Sequence, residues 1–293
     1  MAQHYLEEAV AIARETKERT LESRAIANLA NSAAYIQRDY LMAREYYEQA
    51  YALAVELGDR YQQVISMGNL GWVCQMLGDF ASAQSYHQKA LLTSREVDHL
   101  YQETYTLMNL SGLAEVQEDA PKAIEYATHA LELCKRVGDR PGEAWSYLYL
   151  GHAFSLMGQF DEAQKAYQQT LNIRNEFGQS ALATEPIAGL IQVALRKNDI
   201  SLASRLMEDI VNYLSEGGTL EGTEEPLRVY LACYYVLERM ADVRAAGLLQ
   251  TAMRLLEAQT AKIDDELARR TYIENVPWRR AIETAWLAKK ENL

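Results

Sequence analysis

Residues that interrupt helices are scarce in this sequence. Only 5 of its 293 residues are proline and 15 are glycine, whereas alanine, leucine, glutamate, glutamine, arginine and methionine are abundant. No stretch of alternating valine, isoleucine and threonine is long enough to predict a sheet. With 49% hydrophobic residues available for a core, the composition favours an all-α fold.

Cysteine, long apolar runs and positive charge are also scarce. Cys74, Cys134 and Cys233 lie far apart without a C-x-x-C pair, so we expect reduced thiols that serve as small core residues. There is no apolar signal segment at the N-terminus and no run of about 18 apolar residues, which predicts a soluble cytoplasmic protein without a membrane partner. A net charge of -12 repels phosphate backbones and disfavours nucleic acid as a partner.

The motifs of common catalytic sites are absent as well. The sequence has no G-x-x-x-x-G-K-[ST] loop, no G-x-G-x-x-G, no H-E-x-x-H and no G-x-S-x-G. The five histidines, His4, His87, His99, His129 and His152, do not have the spacing of metal ligands. We therefore expect no enzymatic activity, no cofactor and no metal site.

A 40-residue repeat organises most of the chain. The segments "NLGWVCQMLGDFASAQSYHQKAL" (69–91) and "YLGHAFSLMGQFDEAQKAYQQTL" (149–171) align at a spacing of 80, and 109–131 lies halfway between them. The segment 28–51 fits with one extra residue, 189–211 fits without the glycine signature, and 230–256 is a degenerate copy. A steady period of this length is typical of stacked supersecondary units.

Each copy is predicted to contain two helices. In the second copy these run roughly over 60–77 and 79–97, because apolar residues recur there at helical spacing. Gly71 and Gly151 occupy the place where the second helix approaches closely, with Ala83 and Ala163 facing them from that helix. Tyr47, His87 and Tyr167 are expected to fill the space one turn further on. Gly78 and Gly158 are predicted to end the first helix in the left-handed conformation.

These residues resemble the tetratricopeptide repeat, in particular its branch with a period of about 40 residues. That branch includes kinesin light chains, G-protein-signalling modulator scaffolds, and sensor arms of bacterial signal-transducing ATPases and transcription regulators. The resemblance implies a right-handed superhelical solenoid of helix hairpins. Its predicted divisions are repeats at 20–59, 60–99, 100–139, 140–179 and 180–218, and a degenerate sixth repeat at 223–260.

The two ends of the chain differ from the full repeat. The segment 5–19 matches 46–60 at an offset of 41, so residues 1–19 are predicted to be the second helix of a truncated repeat. The segment 262–286 departs from the pattern and resembles the helical tails of bacterial regulators. Residues 261–293 are therefore predicted to form capping helices, which Pro277 must interrupt.

In stacked helix pairs the first helices line the concave side, so their outward positions are the candidate binding residues. These positions are Asn28, Asn69, Trp72, Tyr105, Asn109, Trp145, Tyr149, His152 and Gln192. Asn28, Asn69 and Asn109 form a ladder of carboxamides that can pair with a peptide backbone. The resemblance to the G-protein-signalling modulator scaffolds, in which asparagines at this place hold a partner's backbone, implies the same role. Alternatively, the asparagines bond to neighbouring helices or water, and the aromatic residues pack between helices.

Two functions agree with this pattern. The first is a non-catalytic module that binds an extended peptide or partner protein in the groove. The second is a sensor arm of a larger ATPase or transcription regulator, joined to an upstream domain and binding an effector. A structural spacer or homo-oligomer with an empty groove is a third possibility.

Overall fold

The computed structural model describes residues 2–291, and within that range the chain is entirely helical apart from turns and loops. The helices are α1 (Ala2–Glu15), α2 (Arg19–Asn31), a π-helix (Ser32–Gln37), α3 (Tyr40–Glu56), α4 (Arg60–Met76), α5 (Phe80–Glu96), α6 (Leu100–Val116), α7 (Ala120–Val137), α8 (Arg140–Leu156), α9 (Phe160–Glu176), α10 (Ser180–Arg196), α11 (Ile200–Ser215), α12 (Pro226–Arg239), α13 (Arg244–Thr260), α14 (Glu266–Glu274) and α15 (Pro277–Glu291). The predicted all-α solenoid of consecutive hairpins is confirmed.

The chain divides into two compact units. Unit 1 comprises the chain up to Leu113 together with Ala261–Tyr272, and unit 2 comprises Ala114–Thr260 together with the chain from Ile273 onward. In unit 1, α2 packs against α3 and α4 against α5, and in unit 2 α8 packs against α9, α10 against α11 and α12 against α13. None of the helices within residues 2–291 is long and apolar enough to cross a membrane.

Aspartates fix where many of the helices begin. Asp39, Asp59 and Asp79 each accept a hydrogen bond from a backbone N–H three residues later, at 3.0–3.1 Å. Such a cap satisfies one of the N–H groups that the first turn leaves without a helical partner, and contributes about 1 kcal/mol. The aspartate that recurs directly before these helices therefore has a local structural role.

The turn inside each hairpin requires a left-handed residue whether or not glycine is present. Gly78 and Gly158 adopt φ of 79° and 76°, as predicted, but the third and fifth copies place Glu118 and Asn198 there at φ of 62° and 59°. A side chain in this conformation costs about 1 kcal/mol relative to glycine. The hairpins persist in these copies although the glycine signature is lost.

Glycine also allows the helices of a hairpin to approach closely. A Cβ atom added to Gly71 would lie 2.5 Å from the ring of His87, and one added to Gly151 would lie 2.5 Å from the ring of Tyr167. The rings of both residues are fully buried. The close approach at Gly71 and Gly151 agrees with the sequence pattern, but these glycines lie against the rings of His87 and Tyr167 rather than against the predicted Ala83 and Ala163.

The extra residue of the first copy is absorbed by the π-helix. The π-helix continues directly from α2 and ends at Arg38, which is left-handed with φ of 51°. A π-helical turn holds more residues than an α-helical turn, so the following α3 keeps its register. One consequence is that Tyr35 lies at a position with no counterpart in the other copies.

In unit 2, residues 216–225 form a long connection between α11 and α12. Pro277 is the first residue of α15, where its missing N–H costs nothing, and it separates α15 from α14 as predicted. The helix α15 packs against α12 and α13. The segment of Ala261–Tyr272 belongs instead to unit 1, where the Lys262 ammonium donates to the Gln37 carbonyl.

Candidate functional site

In unit 1 the outward positions of the first helices form one narrow stripe. Within residues 20–28 of α2, 61–69 of α4 and 101–109 of α6, the side chains that are exposed or half-buried follow one helical face, while their neighbours are buried. We name this set the unit 1 stripe; it consists of Thr20, Leu21, Arg24, Asn28, Tyr61, Ile65, Asn69, Tyr101 and Tyr105.

The unit 1 stripe contains no carboxylate, although the chain has 41 acidic residues. Its single charged residue is Arg24, and most of the others are aromatic, apolar or carboxamide side chains. A surface of this kind can bind neutral peptide backbone and apolar side chains without electrostatic repulsion of an acidic group.

The three asparagines of the predicted ladder differ in exposure. Asn28 is exposed, Asn69 is half-buried and Asn109 is buried. The Nδ2 atom of Asn109 is buried without a hydrogen-bond partner. Because an unpaired buried donor costs about 1–3 kcal/mol, a partner for this amide would be stabilising.

Trp72 is packed against two tyrosines of the same unit. Its ring stacks on Tyr35 at 4.8 Å between centroids and meets the edge of Tyr40 at 5.9 Å. The Tyr35 hydroxyl lies 3.1 Å from the Tyr105 hydroxyl. Trp72 is buried, whereas Tyr35 is 49% exposed, so Tyr35 presents the outer aromatic surface at this place.

Tyr35 was missed by sequence reasoning because the 40-residue register has no position for it. The one feature of the sequence that points to Tyr35 is the extra residue of the first copy, since an insertion adds one side chain to the helix. The insertion alone does not determine on which helical face the added side chain lies; the π-helical geometry does.

In unit 2 the predicted binding residues are bonded within the chain. The Tyr149 hydroxyl donates to a Glu224 carboxylate oxygen at 2.7 Å, and His152 Nδ1 lies 2.7 Å from the Tyr167 hydroxyl. Tyr149 and His152 are both buried. Burial, together with the nearby Arg228 cation, lowers the pKa of His152 to about 3.

A largely buried ion pair lies beside these residues, with side chains 15% and 13% exposed. Arg228 of α12 contacts Glu115 of α6 at 2.8 Å, and its guanidinium lies 5.0 Å from the ring centre of Trp278. Burial alone would raise the pKa of Glu115, but the charge and hydrogen bond of Arg228 lower it on balance. Both charges are therefore held in place by the fold.

The connection before α12 is anchored by a buried carboxylate. Glu185 of α10 accepts hydrogen bonds from the backbone N–H groups of Glu224 and Glu225, at 2.7 and 3.4 Å. Burial raises the pKa of Glu185 to about 7, and the neighbouring Glu224 contributes in the same direction. Together with Arg228, these contacts place the chain's own segment 224–228 against Tyr149 and Glu115.

The remaining predicted residues of unit 2 are half-buried. The ring of Trp145 lies under the Arg174 guanidinium, 4.4 Å from the ring centre, and Gln192 lies on α10. The structure therefore gathers Asn28, Asn69, Trp72, Tyr105 and Asn109 in unit 1, and Trp145, Tyr149, His152 and Gln192 in unit 2. Their assignment as ligand-binding residues stays a prediction.

The described residues contain no cluster of His, Cys, Asp and Glu that could hold a metal ion. All three cysteines are buried free thiols, and burial raises the pKa of Cys74 and of Cys233 to about 12. Such thiols are protonated at neutral pH and inert. The arrangement of the unit 1 stripe is suited to non-covalent binding through hydrogen bonds and aromatic contacts.

The sequence matches the family profile described as tetratricopeptide repeat over residues 21–93 and 103–176. No curated protein sequence is significantly similar to this chain.

Solved structures with the same fold include proteins bound to signalling ligands. A Rap protein in complex with the competence and sporulation factor has a TM-score of 0.63 at 13% identity, over 91% of this chain and 75% of that chain. NprR in complex with its cognate peptide NprX has a TM-score of 0.61 at 17% identity, over 87% and 69%. A signal transduction ATPase with a tetratricopeptide repeat sensor from Pyrococcus horikoshii has a TM-score of 0.60 at 15% identity, over 91% and 42%.

Proposed function

Because this chain belongs to the tetratricopeptide repeat family, we propose that it is an interaction module that binds an extended peptide or protein segment along the unit 1 stripe. Repeats of this family generally serve as scaffolds rather than catalysts. The observation that carries the proposal is the contrast between the units. Asn28 is exposed and Asn69 is half-buried, whereas Tyr149 is buried and bonded to Glu224 of the same chain.

The asparagines would set the register of the bound backbone. Each hydrogen bond contributes about 0.5–1.5 kcal/mol net, whereas micromolar affinity requires about 8 kcal/mol. The ladder alone is therefore insufficient, and apolar anchors must supply the rest. Ile65, Tyr101 and Tyr105 provide such anchors, since aromatic side chains dominate the energy of most interfaces.

The likeness to NprR with its cognate peptide supports this proposal, because an array of the same fold holds a peptide there. The likeness to the sensor-bearing ATPase supports the alternative, in which the chain is a sensor arm within a larger protein. An ATPase or DNA-binding domain in the same polypeptide would favour the alternative, and a bound small-molecule effector would favour it over a peptide.

The proposal can be tested with a display library of random peptides selected on the purified chain. The selected peptides are then titrated against the wild-type protein and against a variant with both Asn28→Ala and Asn69→Ala. Loss of two hydrogen bonds predicts affinity that is weaker by roughly tenfold. Thermal stability should be unchanged because both side chains are accessible.

A matched control is Gln88→Ala, which removes an exposed carboxamide from α5, a second helix. This variant should bind the selected peptides as the wild type does. Asn109→Ala tests the buried amide separately: weaker binding is expected, and because Asn109 is buried the stability of this variant is measured alongside. Peptides that bind all variants equally would show that the binding site lies elsewhere.

A further inference from the structure

In unit 2 the connection between α11 and α12 covers outward positions of the first helices. We name this connection, residues 216–225, the strap. In the 40-residue register Tyr149 of α8 corresponds to Asn69, and Glu185 of α10 corresponds to Ile65. Asn69 and Ile65 are half-buried, whereas Tyr149 and Glu185 are buried and bonded to the strap. The strap therefore closes positions in unit 2 whose counterparts in unit 1 are accessible.

The last two residues of the strap attach it to three helices. The Tyr149 hydroxyl of α8 donates to a Glu224 carboxylate oxygen at 2.7 Å, and the Arg279 guanidinium of α15 donates to Glu225 at 2.5 Å. The backbone N–H groups of Glu224 and Glu225 both donate to Glu185 Oε1 of α10. Each of these contacts includes a glutamate carboxylate, and hydrogen bonds of this kind depend on the charge of the group.

The part of the strap before these contacts is exposed and contains glycines in the left-handed conformation. Glu216, Gly217, Thr219, Glu221 and Gly222 are all exposed. Gly217 and Gly222 adopt φ of 91° and 85°, which glycine tolerates without steric cost. Exposed backbone with few buried side chains opens locally at low free energy. The strap can therefore lift when its last contacts weaken, while α11 and α12 stay packed.

Glu185 is the contact most sensitive to charge. Its Oε1 accepts the two backbone bonds, and its Oε2 is buried without a hydrogen-bond partner. The charged groups that face it are Glu224 and Glu225 of the strap and Arg174 of α9. Burial raises the pKa of Glu185 to about 7 and the Glu224 charge acts in the same direction, against the backbone bonds and Arg174. A proton on Oε2 lets Glu185 hold the strap without a second negative charge beside Glu224.

We propose that the strap is a latch over α8 and α10, which Glu185 holds closed in its protonated form and which opens when Glu185 ionises. In the open latch Glu185 is hydrated and Glu224 has moved away from it. Tyr149 then becomes accessible to a ligand, as its counterpart Asn69 is in unit 1. The latch is independent of the peptide site proposed above, because none of its residues belongs to the unit 1 stripe.

Proton linkage gives the direction and size of the effect. In the closed latch the pKa of Glu185 is about 7, whereas the pKa of a hydrated glutamate is about 4.3. Because the closed state binds the proton more tightly, its stability is fully present below about pH 4.3 and is lost as the pH rises through 7. Between pH 5.5 and pH 7.5 these two pKa values make opening about twentyfold more frequent.

The test is hydrogen–deuterium exchange of the full chain at pH 5.5 and pH 7.5. Mass spectrometry follows the amides of residues 219–225, and the rates are corrected for the intrinsic pH dependence of exchange. In the wild type the corrected exchange should be about twentyfold faster at pH 7.5. Glu185→Gln keeps an oxygen acceptor but cannot ionise, so it should remove this rise. Tyr149→Phe loses one contact of the strap and should exchange faster at both pH values with the rise retained.

A matched control changes another buried carboxylate of unit 2. Glu143 is buried and pairs with Arg140 at 2.8 Å, so Glu143→Gln should keep the wild-type rise. If circular dichroism shows that Glu185→Gln does not fold, Glu224→Gln replaces it and should reduce the rise, because it removes the neighbouring charge. The proposal is overturned if the wild type shows no rise or if the glutamine variant at 185, or its replacement at 224, keeps the rise in full. It is also overturned if the amides of α10 and α11 show the same rise, since that would mean unfolding of the unit and not opening of the strap.

Discussion

The imidazole of His87 should make the protein lose stability in mild acid, and His87→Phe should remove that loss. His87 is fully buried and neither ring nitrogen has a hydrogen-bond partner. Burial lowers its pKa to about 3, whereas the pKa of an imidazole in the unfolded chain is about 6.5. The aromatic rings of Tyr47 and Tyr167 at the equivalent positions indicate that a phenyl ring fits beside Gly71.

The direction and size of the effect follow from these two pKa values. Because the folded pKa of His87 is below the unfolded value, the unfolded chain binds a proton between pH 6.5 and 3 that the folded chain excludes. Stability is therefore present above pH 6.5 and is lost as the pH falls. Proton linkage gives a loss of about 2 kcal/mol for this one residue between pH 7 and pH 5.

The measurement is urea unfolding of the wild type and of His87→Phe, followed by circular dichroism at pH 7 and at pH 5. The buried His152 and Glu185 also titrate, but they do so in both proteins and cancel in the difference. The free energy of unfolding of the wild type should fall by about 2 kcal/mol more than that of the variant. Equal pH dependence of the two proteins would refute the reasoning, since it would mean that His87 is protonated in the folded state.

Three further substitutions test the packing described above. Gly151→Ala should cost about 1–3 kcal/mol, because the new methyl group would overlap the Tyr167 ring. Glu115→Gln should cost about 2–4 kcal/mol, because it leaves the largely buried Arg228 cation without this carboxylate partner. Asp79→Ala should cost about 1 kcal/mol by removing the cap of α5. All three are measured as free energies of unfolding in urea.

The first two of these substitutions have a matched control. Gly158→Ala meets no atom within 4 Å but has φ of 76°, so it should cost only about 1 kcal/mol, through backbone strain. Glu176→Gln removes an exposed partner of Arg140 and should cost less than about 1 kcal/mol. If Glu115→Gln were as mild as Glu176→Gln, the Glu115–Arg228 pair would not be a buried electrostatic contact.

Much of the fold could be predicted from the sequence because the repeat is a local pattern. Helix bounds of 60–77 and 79–97 were predicted for the second copy, and the helices are Arg60–Met76 and Phe80–Glu96. The close helix approach at Gly71 and Gly151 also follows from the repeat, although the rings of His87 and Tyr167, and not the predicted Ala83 and Ala163, lie against these glycines. Each of these features depends on residues within one hairpin, where spacing in sequence determines spacing in space.

The candidate site was less predictable because exposure depends on residues that are distant in sequence. Trp72 and Tyr149 occupy outward positions of the register, yet Tyr35 stacks on one and Glu224 bonds to the other. Tyr149 and Glu224 are 75 residues apart, and Arg228 reaches Glu115 across 113 residues. No local periodicity encodes such pairs.

The sequence by itself therefore determined the helices, their pairing in hairpins and the family, because a 40-residue period repeats the same short-range packing. Only the tertiary structure decided which outward side chains remain accessible. In unit 1 the stripe around Asn28 and Asn69 stays open. In unit 2 the Tyr149 hydroxyl is bonded to Glu224, in the connection that precedes α12, and both Tyr149 and His152 are buried.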